Sequence, residues 1–543
     1  MAVLTSRPDT ASERYRTNRE GMLALVARLH ELQAEASAGG GERAIARHRS
    51  RGKLLVRERI ELLIDRDSPF LELSPLAGYY TDFPLGGGLV TGIGVVSGVE
   101  CAILANDPTV IGGAMTQLNG KKLDRALEIA RVNRLPYIQL TESAGADLRR
   151  EPGDYEDELR RSIFQHFAES GRLFHDITQL SALGIPTMSI VFGSSTAGGA
   201  YQPGLSDYIV MIKAQSKVFL GGPPLVRMAT GEDSGDEELG GAEMHASVSG
   251  LADYLAEDEV DAIRAARDVM AHLNWRKLGG GPTHPADPPL YDPEELLGIV
   301  GPDLKVPFDV RDVIARVVDG SRFEEFKPRY GRTLVVGWAS IHGFPVGIIG
   351  NNGVLFSDSS QKATQFIQLC NQHDVPIVFL QNITGYMVGK EYEQGGIVKD
   401  GSKMINAVSN STVPHITVIL GASYGAGNYG MGGRAFDTRC VFSWPNAKIA
   451  VMGPAQMAGV MSMVRRNQAR AANREFDEEE DRRIQDLVIE RNEKESLGFY
   501  ATGRVADDGM IDPRETRAVL GMALSAVHSN EVKGAVRFGV FRM

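Results

Sequence analysis

Short apolar runs recur along this chain. Each follows a proline or a glycine turn, gives way to small residues, and is followed by a helical pattern. LGIPTMSIVFGSSTAGGAY (183–201) and STVPHITVILGASYGAGNY (411–429) show the sequence of events most clearly. GKKLDRALEIARVN (120–133) and SSQKATQFIQLCN (359–371) carry helical periodicity. Strand, loop and helix repeated in this order predict an α/β layout. Wholly apolar strands such as IVFLQ (377–381) predict burial on both faces. Ser12–Ala38 reads as a charged amphipathic helix stopped by Gly39, Gly40 and Gly41. GGGPTHPADPPLYDP (279–293) holds five prolines, which helices and central strands exclude, and reads as an interdomain linker.

The two halves look alike. The two long runs share Pro186/Pro414, Gly193/Gly421, Ser195/Ser423, Gly199/Gly427 and Tyr201/Tyr429. RLPYIQLTESAGADL (134–148) parallels DVPIVFLQNITGYMV (374–388), and GVECAILAND (98–107) parallels GFPVGIIGNN (343–352). The three matches keep their order, and their offsets differ only as loop lengths would. Chance likeness among buried strands is the competing explanation, and duplication accounts for the order better.

Composition narrows the class. Glycine is frequent, 61 of 543 residues, against about 7% in average usage, which predicts many tight turns and close backbone approaches. The net charge of −11 argues against a nucleic-acid partner. Cys101, Cys370 and Cys440 are far apart with no CxxC pair, so neither a disulfide scaffold nor a cysteine-rich metal site is expected, and a cytoplasmic location fits. The first residues lack an apolar signal core. Two 30-residue stretches, 177–206 and 404–433, carry no charge, but prolines and glycines interrupt both, so no membrane span is expected.

GASYGAGNYG (421–430) fits two unrelated patterns. Gly421-Ala-Ser423-Tyr-Gly425 is a G-x-S-x-G nucleophile elbow. Gly425-Ala-Gly427-Asn-Tyr-Gly430 is a G-x-G-x-x-G dinucleotide fingerprint. A Ser423 hydrolase needs a later histidine, and His528 is the only one. The dinucleotide reading needs an acid about 20 residues on, and Asp437 comes too early. A third use fits the repeat. TAGGA (196–200) and YGAGN (424–428) are small-residue loops at strand ends, each opening a helix. Backbone N–H groups there can meet a ligand without side-chain obstruction, as in an oxyanion hole. A duplicated chain could hold two, one for each of two carbonyl reactants.

ESAGADL (142–148) resembles the A-G-A-D loop of the crotonase superfamily. With FLGGPPLV (219–226), NNGVLFSDSSQKATQFIQLCN (351–371), QNITGYMVG (381–389), SYGAGNYGMGGRAFD (423–437) and DDGMIDPRETRAVLG (507–521), the chain is similar to the carboxyltransferase β subunits of biotin-dependent acyl-CoA carboxylases. The resemblance implies two tandem crotonase-like (ββα superhelix) domains. We place a first, acyl-CoA domain at 25–285 and a second, biotin-side domain at 292–538, with an N-terminal extension 1–24 and a linker 286–291. It implies Gly198 and Gly199 as donors to a thioester enolate, with Ala144, Gly145, Ala146 and Tyr201 beside the substrate. It implies Ala426 and Gly427 as donors to the biotin ureido oxygen, with Tyr424, Gly425 and Asn428 lining that pocket.

No Met-Lys-Met biotin attachment site is present; Lys403-Met404 sits in a different setting. The resemblance therefore implies a separate biotinylated α subunit, holding biotin carboxylase and biotin carrier, and a β hexamer within an α6β6 assembly. No metal is implied. QNITGYMVG and SYGAGNYGMGGRAFD resemble the 3-methylcrotonyl-CoA and geranyl-CoA types. YQPGLSDYIVM (201–211) departs from the methylcrotonyl pattern, so geranyl-, propionyl-, acetyl- and longer-chain acyl-CoA remain alternatives. The Ser423 hydrolase and a non-catalytic scaffold are the rival classes. His245 and the charged run Glu475–Glu495 read as a loop residue and a solvated helix face.

Overall fold

The structure is a computed structural model that describes residues 1–147, 163–537 and 539. Leu148, the end of the ESAGADL run, and residue 538, the expected end of the second domain, lie outside the described residues.

Two sheets form two lobes. In chain order the strands of the first are β2 (Leu71–Leu73), β3 (Leu89–Val96), β4 (Val99–Asn106), β5 (Tyr137–Ser143), β6 (Thr187–Thr196), β7 (Tyr208–Ile212), β8 (Lys217–Phe219) and β9 (Tyr254–Ala256). The second holds β1 (Ala2–Val3), β10 (Arg322–Glu325), β11 (Leu334–Ile341), β12 (Phe344–Asn351), β13 (Ile377–Ile383), β14 (His415–Tyr424), β15 (Cys440–Ser443), β16 (Lys448–Ala450) and β17 (Gly509–Met510). Among the described residues the orders are β2-β3-β4-β5-β6-β7-β9 and β1-β10-β11-β12-β13-β14-β15-β17. β8 pairs with the end of β6, and β16 with the end of β14.

The lobes repeat one plan. An antiparallel hairpin, β3/β4 or β11/β12, leads into helix Gln117–Asn133 or Ser357–Gln372. Parallel strands follow, β5 and β6 or β13 and β14, with helices Ile163–Ala182 and Ile397–Asn410 between them. Both lobes therefore have the tandem ββα architecture expected from the sequence. The register repeats too. Tyr137 faces Thr187 and Ile377 faces His415; then each pair slips, between Thr141 and Ser143 and between Gln381 and Ile383, so that Ser143 meets Ser195 and Ile383 meets Ser423. A register shift of this kind bends and twists the strand locally.

The repetition extends to a buried pair of lysines. Lys122 donates to the carbonyl of Leu89, and Lys362 to that of Leu334 at 2.8 Å. Leu89 and Leu334 open β3 and β11.

The lobes share one core. Leu123 and Ala126 of the first pack in the same cluster as Phe442, Trp444, Leu520 and Leu524 of the second. Residues 1–24 lie against the second lobe. β1 pairs with β10, and Tyr15 and Met22 of helix Glu13–Ser37 join Leu296 and Leu297 in that core. The Pro-rich segment is also pinned to the second lobe, since Asp287 pairs with Arg322 at 2.7 Å and Leu290 donates its N–H to Ser321.

The polar fastener of the seam is Asp508, fully buried. It accepts from Arg125 at 2.7 and 2.8 Å, from Arg434 at 2.9 Å, and from the Val441 N–H at 2.8 Å. Burial opposes its ionisation, yet Arg125 and Arg434 hold its carboxyl below the usual range. In its neighbour Asp507 burial outweighs the hydrogen bond from Ser443 and the charge of Arg434, and pushes the carboxyl up to about 6.

Burial lowers Lys122 and Lys362 to about 8. An unfolded lysine, near 10.4, binds more protons than the folded one between those values, so each lysine makes stability rise with pH there. Below about pH 8 the handicap is full. Lys362→Met should flatten the rise between about pH 8 and pH 10 by up to ~1.4 kcal/mol per pH unit relative to the parent chain, measured by urea denaturation at each pH.

Candidate active site

β6 leaves its sheet at Thr196 and enters a tight turn, Ala197–Ala200, followed by Tyr201–Gly204. Gly198 is exposed and Gly199 buried. The Gly198 N–H stands in the first positions of a 3-10 turn, where amides have no intrahelical acceptor, and Gly199 is the third residue of that turn, where the i to i+3 bonds begin. Neither glycine has a positive φ. A Cβ on Gly198 would meet only Phe174 at 3.6 Å, and one on Gly199 would meet Ser195 Oγ at 3.4 Å, which is ordinary contact. Neither backbone conformation nor packing therefore demands glycine. The Ser195 hydroxyl donates to the Gly199 carbonyl at 2.8 Å and fixes the turn.

The ESAGADL loop abuts this turn: a Cβ on Gly145, at φ +86°, would lie 3.3 Å from the Thr196 carbonyl. Its amides are largely committed. Ala144 N–H donates to Gly112 O at 3.2 Å, Gly145 N–H to Ser143 Oγ at 3.2 Å, and Asp147 N–H to Met115 O at 2.9 Å. Ala144 and Ala146 are exposed and Gly145 is buried. Tyr201 is 44% exposed, with its ring 5.4 Å from that of Phe174.

The second strand end repeats the geometry with a tighter fit. β14 runs into helix Gly425–Gly430, with Gly425 at φ +56°. Ala426 is exposed and Gly427 buried, as with Gly198 and Gly199. Here packing does demand glycine, because a Cβ on Gly427 would lie 2.6 Å from Ile383 Cγ1 and 3.0 Å from Gly385 Cα. Leu355 N–H donates to Gly385 O and Met387 N–H to Leu355 O, matching the bonds of Met115, Gly145 and Asp147. Tyr424 is half-buried, and that burial pushes its phenol up.

Ser423 is no nucleophile in this arrangement. Its hydroxyl donates to Gln381 Oε1 at 2.7 Å and accepts from Asn428 Nδ2 at 2.7 Å. His528, the base a hydrolase would need, bonds the Leu524 carbonyl through Nδ1 at 2.7 Å and stacks against Phe344. His245 is likewise tied into the fold, to Ser249 and to the Val218 carbonyl.

Beside the first turn lies a cavity of about 470 Å³. Arg47, Arg51 and Lys217 line it, with Lys53 and Glu142 at its side, and it reaches Ser143–Ala144 and Gly193–Ser194. Sequence reasoning did not single out these cations. For Arg47 and Arg51 the signal was the basic stretch between Glu42 and Glu61, which only the fold sets beside β6 and Lys217. Such a cluster suits phosphate oxygens. Among the described residues no cluster of His, Cys, Asp or Glu could hold a metal, and no helix is long and apolar enough to cross a membrane.

Residues 47–540 match the family described as the carboxyl transferase domain. The chain is 58% identical over 528 residues to a Mycobacterium tuberculosis protein named "Probable biotin-dependent acyl-coenzyme A carboxylase beta2 subunit", covering 96% of this chain and 97% of that one. It is 47% identical over 545 residues to the mitochondrial methylcrotonoyl-CoA carboxylase beta chain of Dictyostelium discoideum, covering 100% and 91%. The crystal structure of the beta subunit of P. aeruginosa geranyl-CoA carboxylase aligns over 100% of both chains at 42% identity, with a TM-score of 0.87.

The unequal packing of the two turns can be measured. Gly199→Ala should leave stability within about 1 kcal/mol of the parent. Gly427→Ala should cost about 1–3 kcal/mol through overlap with Ile383 and Gly385, both read by urea denaturation.

Proposed function

The chain belongs to the carboxyl transferase domain family, and from that premise we propose that it is the carboxyltransferase β subunit of a biotin-dependent acyl-CoA carboxylase acting on 3-methylcrotonyl-CoA. The observation that carries this reading is the pair Gly198–Gly199, kept bare where neither φ nor packing requires it. A ligand oxygen that must reach both amides supplies the reason.

In this reading the Gly198 and Gly199 N–H groups hold the thioester oxygen as charge develops on it, and the helical turn adds its partial positive charge. Both amides are set in place before the reaction, so little reorganisation opposes it. Ala144, Gly145, Ala146 and Tyr201 border the acyl group. Arg47, Arg51 and Lys217 take the phosphates of CoA in the adjoining cavity. The nearby Ser195 hydroxyl donates to the Gly199 carbonyl and holds the turn.

The second turn fits a neutral cyclic urea. Ala426 and Gly427 offer N–H groups at a helix start, and no charge is required. Tyr424, Gly425 and Asn428 border that site. Carboxybiotin, when bound there, supplies the carboxyl group and a ureido nitrogen able to take the substrate proton. Biotin would arrive on a separate α subunit, since Lys403 of the Lys-Met pair lies in helix Ile397–Asn410 bonded to Asp400. We further propose the domain limits 25–285 and 292–538 joined by 286–291, a β hexamer within α6β6, and a cytoplasmic location consistent with three buried free cysteines. Geranyl-CoA is the second reading, favoured by the similarity to the geranyl-CoA carboxylase beta subunit. It is also a 3-methyl-2-enoyl thioester, and both place charge on the same oxygen.

The test is the purified chain with its biotinylated partner, labelled bicarbonate and a panel of acyl-CoAs. 3-Methylcrotonyl-CoA should give the highest kcat/KM, at least tenfold above propionyl- and acetyl-CoA; a preference for either of those overturns the substrate. Gly199→Val should lower turnover by about 100-fold or more while circular dichroism stays unchanged.

A further inference from the structure

The duplication contains one place where the two lobes meet the same packing demand with different chemistry. Gly193 is the seventh residue of β6 and Gly421 the seventh of β14. A polar side chain from the sixth position of the neighbouring strand fills the Cβ space of each. Glu142 Oε1 would lie 2.6 Å from a Cβ on Gly193, and Asn382 Oδ1 2.6 Å from one on Gly421. Asn382 is neutral and locally satisfied, accepting the Ala422 N–H at 3.0 Å.

Glu142 is a buried charge, and it recruits counter-charges from outside its sheet. Lys53 reaches Oε1 at 2.5 Å and Arg59 reaches Oε2 at 2.9 Å. Arg59, 1% exposed, also grips Glu259 at 2.8 and 3.0 Å, and its guanidinium lies 4.3 Å from the Phe192 ring centre. Lys53 and Gln215 both donate to the Phe192 carbonyl at 2.9 Å. Two cations and two carboxylates thus converge on Phe192–Gly193, five residues before Gly198.

Filling the space above a glycine needs no charge, as Asn382 shows. Burying four charges costs desolvation that packing alone would not incur. What the network adds is directional restraint on two segments at once: the exit of β6 toward Gly198 and Gly199, and the start of the 142–147 loop. Building on the function proposed above, we propose that Glu142, anchored by Arg59 and Lys53, is a positioning residue. It sets the first turn so that the Gly198 and Gly199 amides point at the thioester oxygen. Small errors in such a geometry cost rate more than binding.

The test uses the full chain with its biotinylated partner, titrated for acyl-CoA sites. Glu142→Gln removes the charge and keeps the shape, but leaves Lys53 uncompensated. The double variant Glu142→Gln with Lys53→Met restores electrical balance around Arg59 and Glu259. The expected result is a double variant with a melting temperature near the parent's, a kcat per site at least tenfold lower, and a KM for acyl-CoA within about threefold. Parental kcat in the double variant overturns the proposal, as does a raised KM with kcat unchanged, which would make the network part of CoA binding. Glu142→Asp, which keeps the charge, should recover more of kcat than Glu142→Gln; equal losses would leave only a packing role and overturn it too. Inactivity of the parent chain with every acyl-CoA would sink the functional reading instead, so the two failures are separable.

Discussion

An amide N–H that is to hold a ligand oxygen must go without a partner in the fold, and unpaired buried donors are expensive. In the proposed function this constraint has to be met twice, at the ends of β6 and β14. Each strand slips register against its neighbour, leaves the sheet and starts a helical turn, the one place where backbone N–H groups lack acceptors by construction. Around these turns several donors are committed within the fold. Ser195 holds Gly199, Asn428 holds Ser423, and the 142–147 loop bonds to residues 112–115.

The lobes share their plan and part company in the side chains around the two glycine turns. The buried lysines on the hairpin carbonyls and the bonds of Gly145 and Gly385 are common to both. Position 146 is an exposed alanine in the first lobe. Its counterpart Tyr386 packs against Gly401 and Gly430 in the second. Glu142 and Asn382 differ in charge. The first lobe is more open and more charged, beside a cation-lined cavity of a size to hold phosphates. The second is closed by Tyr386 and Ile383, and its donors are neutral.

Neither lobe stands apart from the other. Arg125 lies on the helix that follows the first hairpin, and Arg434 just beyond the second glycine helix; Asp508 binds both. The C-terminal helix Thr516–Val527 contributes Leu520 and Leu524 to the shared core. Apolar packing, the buried Asp508 and further polar bonds such as Ser525 to Glu100 and Ser529 to the Arg134 carbonyl join the two ββα units.

Much of this was readable from residue order. Apolar runs after prolines marked β5, β6, β13 and β14, because strands buried on both faces need unbroken hydrophobicity. The ordered repeats marked two lobes, and the small-residue loops marked the two glycine turns, because close backbone approach excludes side chains. Other features depend on residues far apart in the chain. Arg59, Glu142 and Glu259 come from three separated segments, and nothing local to any of them announces the others. Arg47, Arg51 and Lys217 form a pocket only once a helix near the N-terminus lies beside β6 and β8. Ser423 matched a nucleophile pattern, and only the tertiary contacts with Gln381 and Asn428 withdrew it. Periodicity and turn chemistry are local, so the chain alone determined its strands, its duplication and its bare amides. Charge pairing and enclosure are relations across the fold, so tertiary structure alone decided which side chains stand around those amides and what they do.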